Sequence, residues 1–185
     1  MNNSRRSSMD IKTLVMASFL TAISIVLTRF FYLMIPLAGL PSTLRVSFGE
    51  IPIMMSGFLF GPLVGGLTGL AADLIGVLIN PQGAYFPGFT VSSILWGVIP
   101  GVFGQLFRRK GYSKDIFSIK RIGLTVITCI AIVSVMLNTY WLSIMLDKGV
   151  LVLLPGRLIS GLANIPIQTL IITTLLKYIT NVVRV

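Results

Sequence analysis

The sequence predicts an all-α integral membrane protein, a bundle of six transmembrane helices with both termini in the cytoplasm. Of its 185 residues, 55% are hydrophobic and only 11% are charged, and the mean hydropathy is +0.93. A water-soluble domain of this length has no interior for so much apolar surface. Each bilayer crossing takes ~20 apolar residues, so six crossings leave only short loops and tails. We therefore expect a single transmembrane domain over residues 1–185.

Four apolar runs are each long enough to form one span. They cover residues 11–35, 91–107, 122–146 and 151–178. A fifth run, 51–79, is long for one helix and short for two full-length ones. Gly61 and Pro62 interrupt it, and we predict two short helices that break there.

The distribution of basic residues predicts the orientation of these spans. The formal net charge is +10, and the basic residues concentrate near the N-terminus, in segment 108–121 and near the C-terminus. If 51–79 crosses twice, all three regions share one side of the membrane, as the positive-inside rule requires. We expect residues 1–10 to be a cytoplasmic tail and 108–121 a basic cytoplasmic loop near anionic lipid heads. We expect no nucleic-acid partner, because the basic residues are not interleaved with aromatics on a soluble face.

The composition excludes several classes of enzyme site. The chain has no histidine, one cysteine and five carboxylate side chains, so Ser-His-Asp triads, Cys-His pairs and Cys- or His-based metal clusters lack their residues. No Gly-rich stretch ends in Gly-Lys-Ser or Gly-Lys-Thr, which excludes a P-loop ATPase. We therefore expect no enzyme activity, no bound metal and no cofactor.

Charged, amide and aromatic side chains fall at the outer end of the predicted spans. An ionised group in the hydrocarbon costs ~3 kcal/mol or more unless it faces protein or water. Guanidinium groups bind carboxylates, aromatic rings stack on flat ligands, and a buried carboxylate accepts a paired amino and N–H group. The pattern predicts a site for a flat, polar heterocycle that carries negative charge. Its members are Arg29, Arg45, Glu50, Asp73, Arg157, Asn138, Asn164, Gln168, Tyr32, Phe48, Tyr85, Phe86, Phe89, Trp96, Tyr140 and Trp141.

Structural roles compete with ligand contact for these residues. Asp73 or Glu50 can form an ion pair with one of the arginines, and Arg29 can extend to the lipid interface. The outer segments 36–49 and 80–90 are rich in Pro, Gly and aromatics. We favour ordered flaps over a pocket that opens outward, rather than plain interfacial anchors, because Pro and Gly fix loop shape.

Small residues recur at four-residue spacing on two helices. The first span offers two overlapping pairs, Ala17 with Thr21 and Ser18 with Ala22, which allow another helix to approach closely. A second series lies in 51–79, where we expect packing inside the bundle. Its members are Gly57, Gly61, Gly65 and Gly69.

Several strings resemble the folate-specific substrate-binding subunits (S components) of energy-coupling factor (ECF) vitamin transporters. They are LRVSFGEIPIMMSGFLFGPLVGGLTGLAADLIG, NPQGAYFPGFT, WGVIPG, LNTYWLSIM and LVLLPGRLISGLANIPIQ, and the likeness runs from about residue 11 to the end. It implies a six-helix subunit in the bacterial plasma membrane that captures folate outside the cell. It also implies docking on a transmembrane coupling subunit and two ATPase subunits, which use the ATP.

The resemblance also suggests roles for individual residues. Folate has a flat pterin, a benzoyl ring and a glutamate with two carboxylates. The candidates are Arg45 and Arg157 for the carboxylates, Asp73, Asn138 and Asn164 for polar edges, Tyr85, Phe86, Phe89 and Trp141 for ring contacts, and Glu50 as a gate residue. Segments 36–49 and 80–90 correspond to the gating loops. The docking motif of the family, A-x-x-x-A, is degraded here to one of the pairs among Ala17, Ser18, Thr21 and Ala22.

Other functions stay open. The same architecture can serve another vitamin or a nucleobase-like ligand. A protein of a different class, an oligomeric membrane pore or scaffold, would use the small-residue faces for assembly and the arginines to line a channel. The clustering of polar residues on one side of the membrane argues against a pore.

Overall fold

The computed structural model describes residues 10–36, 43–81, 84–109 and 117–183. Two short strands, β1 (Tyr32–Pro36) and β2 (Thr43–Ser47), pair antiparallel, with Tyr32 opposite Ser47. The remaining elements are helical. They are α1 (Ile11–Phe30), α2 (Glu50–Phe60), α3 (Pro62–Ile79), α4 (Pro87–Arg109), α5 (Ile119–Cys129), a π-helical segment (Ile130–Leu137), α6 (Asn138–Leu146) and α7 (Val150–Val183).

Within the described ranges, five helical stretches are long and apolar enough to cross a membrane. They are Ile11–Phe30, Pro62–Ile79, Pro87–Arg109, Ile119–Leu146 and Val150–Ile179. The third predicted long span, 122–146, is thus one stretch in which the π-helical segment joins α5 to α6. The apolar helix α2 has only 11 residues and, at ~1.5 Å per residue, is shorter than the ~30 Å hydrocarbon core. Its residues from Ile51 to Leu59 are all buried, so α2 is surrounded by protein rather than lipid.

The predicted break at Gly61 and Pro62 is confirmed. Helix α2 ends at Phe60, and α3 begins at Pro62. Gly61 between them has φ of 92°, a backbone conformation that residues other than glycine rarely adopt. Pro62 occupies the start of α3, where its fixed φ suits a helix and its missing N–H leaves no hydrogen bond unmade.

Two predicted spans differ from the helices at the ends that lie beside each other near Arg29 and Phe89. Helix α1 ends at Phe30 rather than at residue 35, because the following residues Tyr32–Pro36 pair with Thr43–Ser47 instead. Tyr32 and Ile35 in the first segment and Thr43 and Val46 in the second are residue types that favour strands, and pairing satisfies the backbone groups. Helix α4 begins four residues earlier than predicted, at Pro87, which is another proline at a helix start.

Helices α2, α3 and α4 are in backbone contact through glycines. A side-chain carbon on Gly65 would overlap the backbone of Gly97, and one on Gly97 would overlap the backbone of Gly65. Gly57 faces the same part of α4, and Gly69 lies against the backbone of Ser93. The prediction that this glycine series serves internal packing is confirmed.

The apolar core occupies the end of the bundle where the basic residues lie. Its fully buried large side chains are Met54, Phe58, Ile122, Val126, Ile172 and Leu176. At this end Arg108 Nη2 donates to the carbonyl oxygens of Phe58 (3.3 Å) and Leu59 (3.5 Å), which satisfies the C-terminus of α2. The Arg121 guanidinium lies 6.0 Å from the centre of the Phe107 ring. Residues 110–116 of the predicted basic loop lie outside the described residues.

Candidate ligand-binding cavity

A cavity of about 320 Å³ lies at the opposite end of the bundle. Its wall is formed by the end of α1, the start of α2, the second half of α3, the start of α4, the π-helical segment with α6, and the first half of α7. This volume is at the lower end of the ~300–1,000 Å³ that small-molecule sites occupy. The cavity thus lies where the sequence predicts convergence of polar and aromatic side chains.

Most of the predicted site residues with described side chains line this cavity. They are Arg29, Glu50, Asp73, Tyr85, Phe86, Phe89, Trp96, Asn138, Arg157, Asn164 and Gln168. The wall therefore combines two carboxylates, two arginines, three amides and four aromatic rings from six helical elements and the segment before α4. Arg45 lies in β2 opposite Met34, and its side chain lies outside the described residues.

Trp141 takes a position behind the aromatic wall. Its ring centre lies 5.8 Å from that of Phe86 and 5.1 Å from that of Tyr140. Among the described residues Trp141 is not part of the cavity lining, so it supports Phe86 from behind. Gly88 makes this possible, because a side-chain carbon there would overlap the indole ring. Phe86 in turn packs edge-on against Phe89, with ring centres 6.1 Å apart.

A chain of polar contacts connects α1, α3 and α4 at the cavity wall. Arg29 Nη2 lies 3.6 Å from Asp73 Oδ1, and the two side chains are only 9% and 13% exposed. Thr90 Oγ1 donates to Asp73 Oδ2 at 2.7 Å. The Tyr85 hydroxyl lies 3.0 Å from Thr90 Oγ1 and is the donor there, since the Thr90 hydrogen already points to Asp73. We call Arg29, Asp73, Thr90 and Tyr85 the polar chain.

Arg29 also ties the end of α1 to the end of α3. Its Nη1 donates to the Asn80 carbonyl (3.4 Å), and Asn80 Nδ2 donates back to the Arg29 carbonyl (3.3 Å). Gly76 leaves room for the guanidinium to lie across α3. Of the two structural alternatives, the ion pair with Asp73 is present, and extension of Arg29 to the lipid interface is wrong because the side chain is buried.

The cavity wall also contains two serines that the sequence-based site omitted, Ser92 from α4 and Ser134 from the π-helical segment. Gln168 and Trp96 were members of the predicted site, as an amide and an aromatic ring at the level of the other polar residues, but they received no individual role. Ser92 and Ser134 had no sequence signal, because serine is common in membrane helices and one sequence does not show which face it occupies.

The start of α2 is fixed beside the cavity. Ser24 Oγ donates to the Gly49 carbonyl at 2.7 Å, a buried contact between α1 and the residue before α2. A side chain at Gly49 would overlap Thr28, so the two segments approach as closely as glycine allows. Glu50 follows as the first residue of α2, where the helix dipole favours a negative charge.

The two small-residue pairs of α1 face different ways. Ala17 and Thr21 are buried, and Thr21 Oγ1 donates to the Ala17 carbonyl at 2.8 Å. Ser18 and Ala22 are exposed on the other side of the helix. The first pair therefore packs inside the bundle, and the second lies on a surface that is open to a further helix.

A cavity with charged, amide and aromatic walls inside a bundle of apolar helices defines a membrane protein that binds a small polar molecule. Comparison with known proteins agrees: the family model for the ECF-type riboflavin transporter S component matches residues 8–181. The chain belongs to this family of ECF transporter S components, and it is a multi-pass protein of the cell membrane.

Individual relatives are named for folate. The folate transporter FolT of Clostridium novyi (strain NT) is 38% identical over 162 residues, which cover 88% of this chain and 86% of the relative. The folate transporter FolT of Leuconostoc mesenteroides is 27% identical and covers 86% of this chain and 82% of the relative. A crystal structure of FolT bound with folic acid superposes with a TM-score of 0.74 at 28% identity, over 92% of this chain and 97% of that one.

Proposed function

We propose that this chain is the folate-binding S component of an ECF transporter and that the cavity is its folate site. The observation that carries the proposal is the composition of the cavity wall, in which Arg157, two carboxylates and an aromatic cluster surround about 320 Å³. These groups complement an aromatic ligand that has a hydrogen-bonding ring edge at one end and carboxylates at the other. The names of the relatives support the same ligand.

Riboflavin is the second candidate, because the matching family model carries that name. Riboflavin is flat and polar but has no carboxylate. An arginine in the wall of a cavity at membrane depth is therefore better explained by folate, whose glutamate can accept a bidentate hydrogen bond. Affinity for each of the two vitamins distinguishes the candidates directly.

The proposed roles follow the position of each side chain in the wall. Arg157 and Arg45 bind the glutamate carboxylates. Phe86, Phe89 and Tyr85 contact the rings, and Trp141 supports Phe86 from behind. Asn138, Asn164 and Asp73 supply polar contacts, while Glu50 holds the first loop closed as a gate residue.

The proposed topology has six crossings with both termini in the cytoplasm. The short helix α2 completes a crossing because protein surrounds it, so its length need not match the lipid. Residues 1–10 then form a cytoplasmic tail, 108–121 a basic cytoplasmic loop, and the cavity opens outward. The whole chain is one transmembrane domain.

The proposed partners are a transmembrane coupling subunit and two ATPase subunits that hydrolyse ATP. Ser18 and Ala22 on the exposed face of α1 are the favoured docking pair, since Ala17 and Thr21 are buried within the bundle. Ser18→Leu should keep folate binding within about twofold and abolish folate uptake by cells, because bulk at a small-residue contact separates the helices. Thr174→Leu, at an exposed hydroxyl on α7, is the control that should transport normally. Normal uptake by Ser18→Leu would contradict the docking assignment.

Binding of folate fragments tests the site itself. Purified protein should bind folate saturably, and Arg157→Ala should weaken folate by about 10- to 100-fold, the cost of losing a charge-assisted hydrogen bond. The same variant should leave 6-hydroxymethylpterin, which has the pterin ring but no carboxylate, within about twofold. Isothermal titration calorimetry measures both. Equal losses for folate and for the pterin would contradict the role of Arg157, and saturable binding of riboflavin without folate would contradict the proposed ligand.

A further inference from the structure

Two polar side chains at the deep wall of the cavity lie buried without hydrogen-bond partners. Gln168 on α7 is 3% exposed and Ser92 on α4 is 2% exposed. Within the described part of the chain, Gln168 Oε1 and Ser92 Oγ accept and donate no hydrogen bond. Leaving such a group unsatisfied costs ~1–3 kcal/mol, and the great majority of buried polar groups have partners. Since both side chains line the cavity, a ligand is the natural partner.

The surroundings of these groups suit a flat ring. Trp96 follows Ser92 by one helical turn, lines the cavity and is 6% exposed. Ile130 adds an apolar surface to the same wall. A hydrogen-bonding edge beside an indole and an aliphatic side chain resembles the way proteins hold planar heterocycles, by apolar contact on the faces and polar contact at the rim.

The cavity is also polarised along α7. Arg157 and Gln168 both line it, and at ~1.5 Å per residue they are separated by roughly 16 Å along the helix. A cationic group thus lies at one end and a neutral amide at the other. An elongated ligand with an anionic tail and a neutral hydrogen-bonding ring therefore fits in one orientation, with the tail at Arg157 and the ring at Gln168.

Asp73, the carboxylate candidate for binding the ring edge, already has partners. Asp73 accepts a hydrogen bond from Thr90 on Oδ2 and faces Arg29 through Oδ1. A ligand edge that bound this carboxylate would compete with both groups. Gln168 has no such competitor among the described side chains. Its amide offers an acceptor and two donors, which suits a ring edge that carries both kinds of group.

We propose that Gln168 and Ser92 are specificity-determining residues that bind the hydrogen-bonding edge of the ligand's heterocycle, with its anionic tail toward Arg157. For a folate the edge is that of the pterin, and in this form the inference rests on the proposed function. The sequence alone assigns Gln168 no individual role and does not indicate Ser92 at all. Removing the Gln168 amide or the Ser92 hydroxyl should lower the affinity for every ligand that carries the ring. The size of this loss should be the same whether or not the ligand has the anionic tail.

Two substitutions and one control test this assignment. Gln168→Met keeps the length of the side chain and removes the amide, and Ser92→Ala removes the hydroxyl. Thr169→Val is the matched control, because Thr169 follows Gln168, is 8% exposed and also has a hydroxyl without a partner in the described residues, yet is not part of the cavity lining. Elution as a single species and the midpoint of thermal unfolding establish that each variant is folded.

The measurement is calorimetric titration with folate and with pteroate. We expect Gln168→Met to weaken both ligands equally, by about tenfold or more, Ser92→Ala to weaken both by a smaller equal factor, and Thr169→Val to change neither. Wild-type affinity in folded Gln168→Met and Ser92→Ala would overturn the assignment, as would a loss confined to folate. If Gln168→Met does not fold, Ser92→Ala alone decides. Failure of the wild-type protein to bind folate would instead overturn the proposed function, so the two failures are distinguishable.

Discussion

The contact among α2, α3 and α4 and the cavity beside it differ in how the space between helices is filled. At the first, glycines bring backbones together, so that Gly65 and Gly97 leave no room even for a methyl group. At the second, the helices stand apart and polar side chains face a space of about 320 Å³. Without a hydrophobic effect between helices in lipid, close backbone packing is the main source of stability. The tight region thus supplies the rigidity that allows the open one to keep buried charge.

Among the variants considered, Gly97→Ala should lower the stability of the bundle most, because it disrupts the tight contact. The added carbon would overlap the Gly65 backbone, which cannot turn away as a side chain can, so we expect a loss of at least ~3 kcal/mol or no folded protein. Gly123→Ala is the control, because its new carbon would meet the Thr169 side chain at ordinary contact distances, 3.5 Å from Cγ2 and 3.9 Å from Oγ1. Thermal unfolding in detergent measures both. Equal stability of the two variants would mean that the tight contact does not stabilise the bundle.

Breaking the ion pair between Arg29 and Asp73 should cause the next largest loss of stability. Arg29→Met leaves the Asp73 carboxylate buried without its cation, which costs ~3 kcal/mol for a buried pair. Arg29→Met combined with Asp73→Leu removes both charges and should regain part of that loss. Unfolding midpoints of the single and double variants give the coupling between the two residues. Additive losses would contradict a direct interaction.

Much of this arrangement was predictable from the sequence, and the exceptions have physical causes. The break at Gly61 and Pro62 was predicted, since these two residues restrict backbone conformation wherever they occur. The pairing of β1 with β2 was not predicted, because strand pairing depends on a partner segment that local apolar content does not reveal. The orientation of the bundle was inferred from charge alone. The charge pattern indicates at which depth in the membrane a residue lies but not which face of its helix it occupies.

The candidate site shows the same division. Charged and aromatic residues such as Asp73 and Phe86 were found because they are costly or rare at membrane depth. Ser92 was missed, since a serine is inexpensive there and only the packing shows that it faces the cavity. The pairing of Arg29 with Asp73 rather than another carboxylate also required the packing, because residues 29 and 73 are brought together by α1 and α3.

Tyr85→Phe should give the smallest effect. Among the residues that the structure describes, the Tyr85 hydroxyl donates to Thr90 alone, and the ring is half exposed. Loss of the hydroxyl should therefore cost ~1 kcal/mol or less of folding free energy. Because Tyr85 lies at the cavity wall and belongs to the segment before α4, we expect folate to dissociate a few-fold faster while the unfolding midpoint barely changes. Stopped-flow dissociation measures this. A large drop in the midpoint with unchanged dissociation would show that the polar chain only stabilises the fold.

The claim that the cavity holds the ligand is tested most directly by the fluorescence of Trp96. The chain has two tryptophans, so Trp141→Phe leaves Trp96, which lines the cavity, as the sole reporter. Titration of this variant with folate should quench Trp96 emission saturably at one ligand per protein. In a separate assay, pteroate should displace radiolabelled folate from the same variant. Binding of radiolabelled folate with no saturable change in Trp96 emission would place the ligand elsewhere and contradict the account.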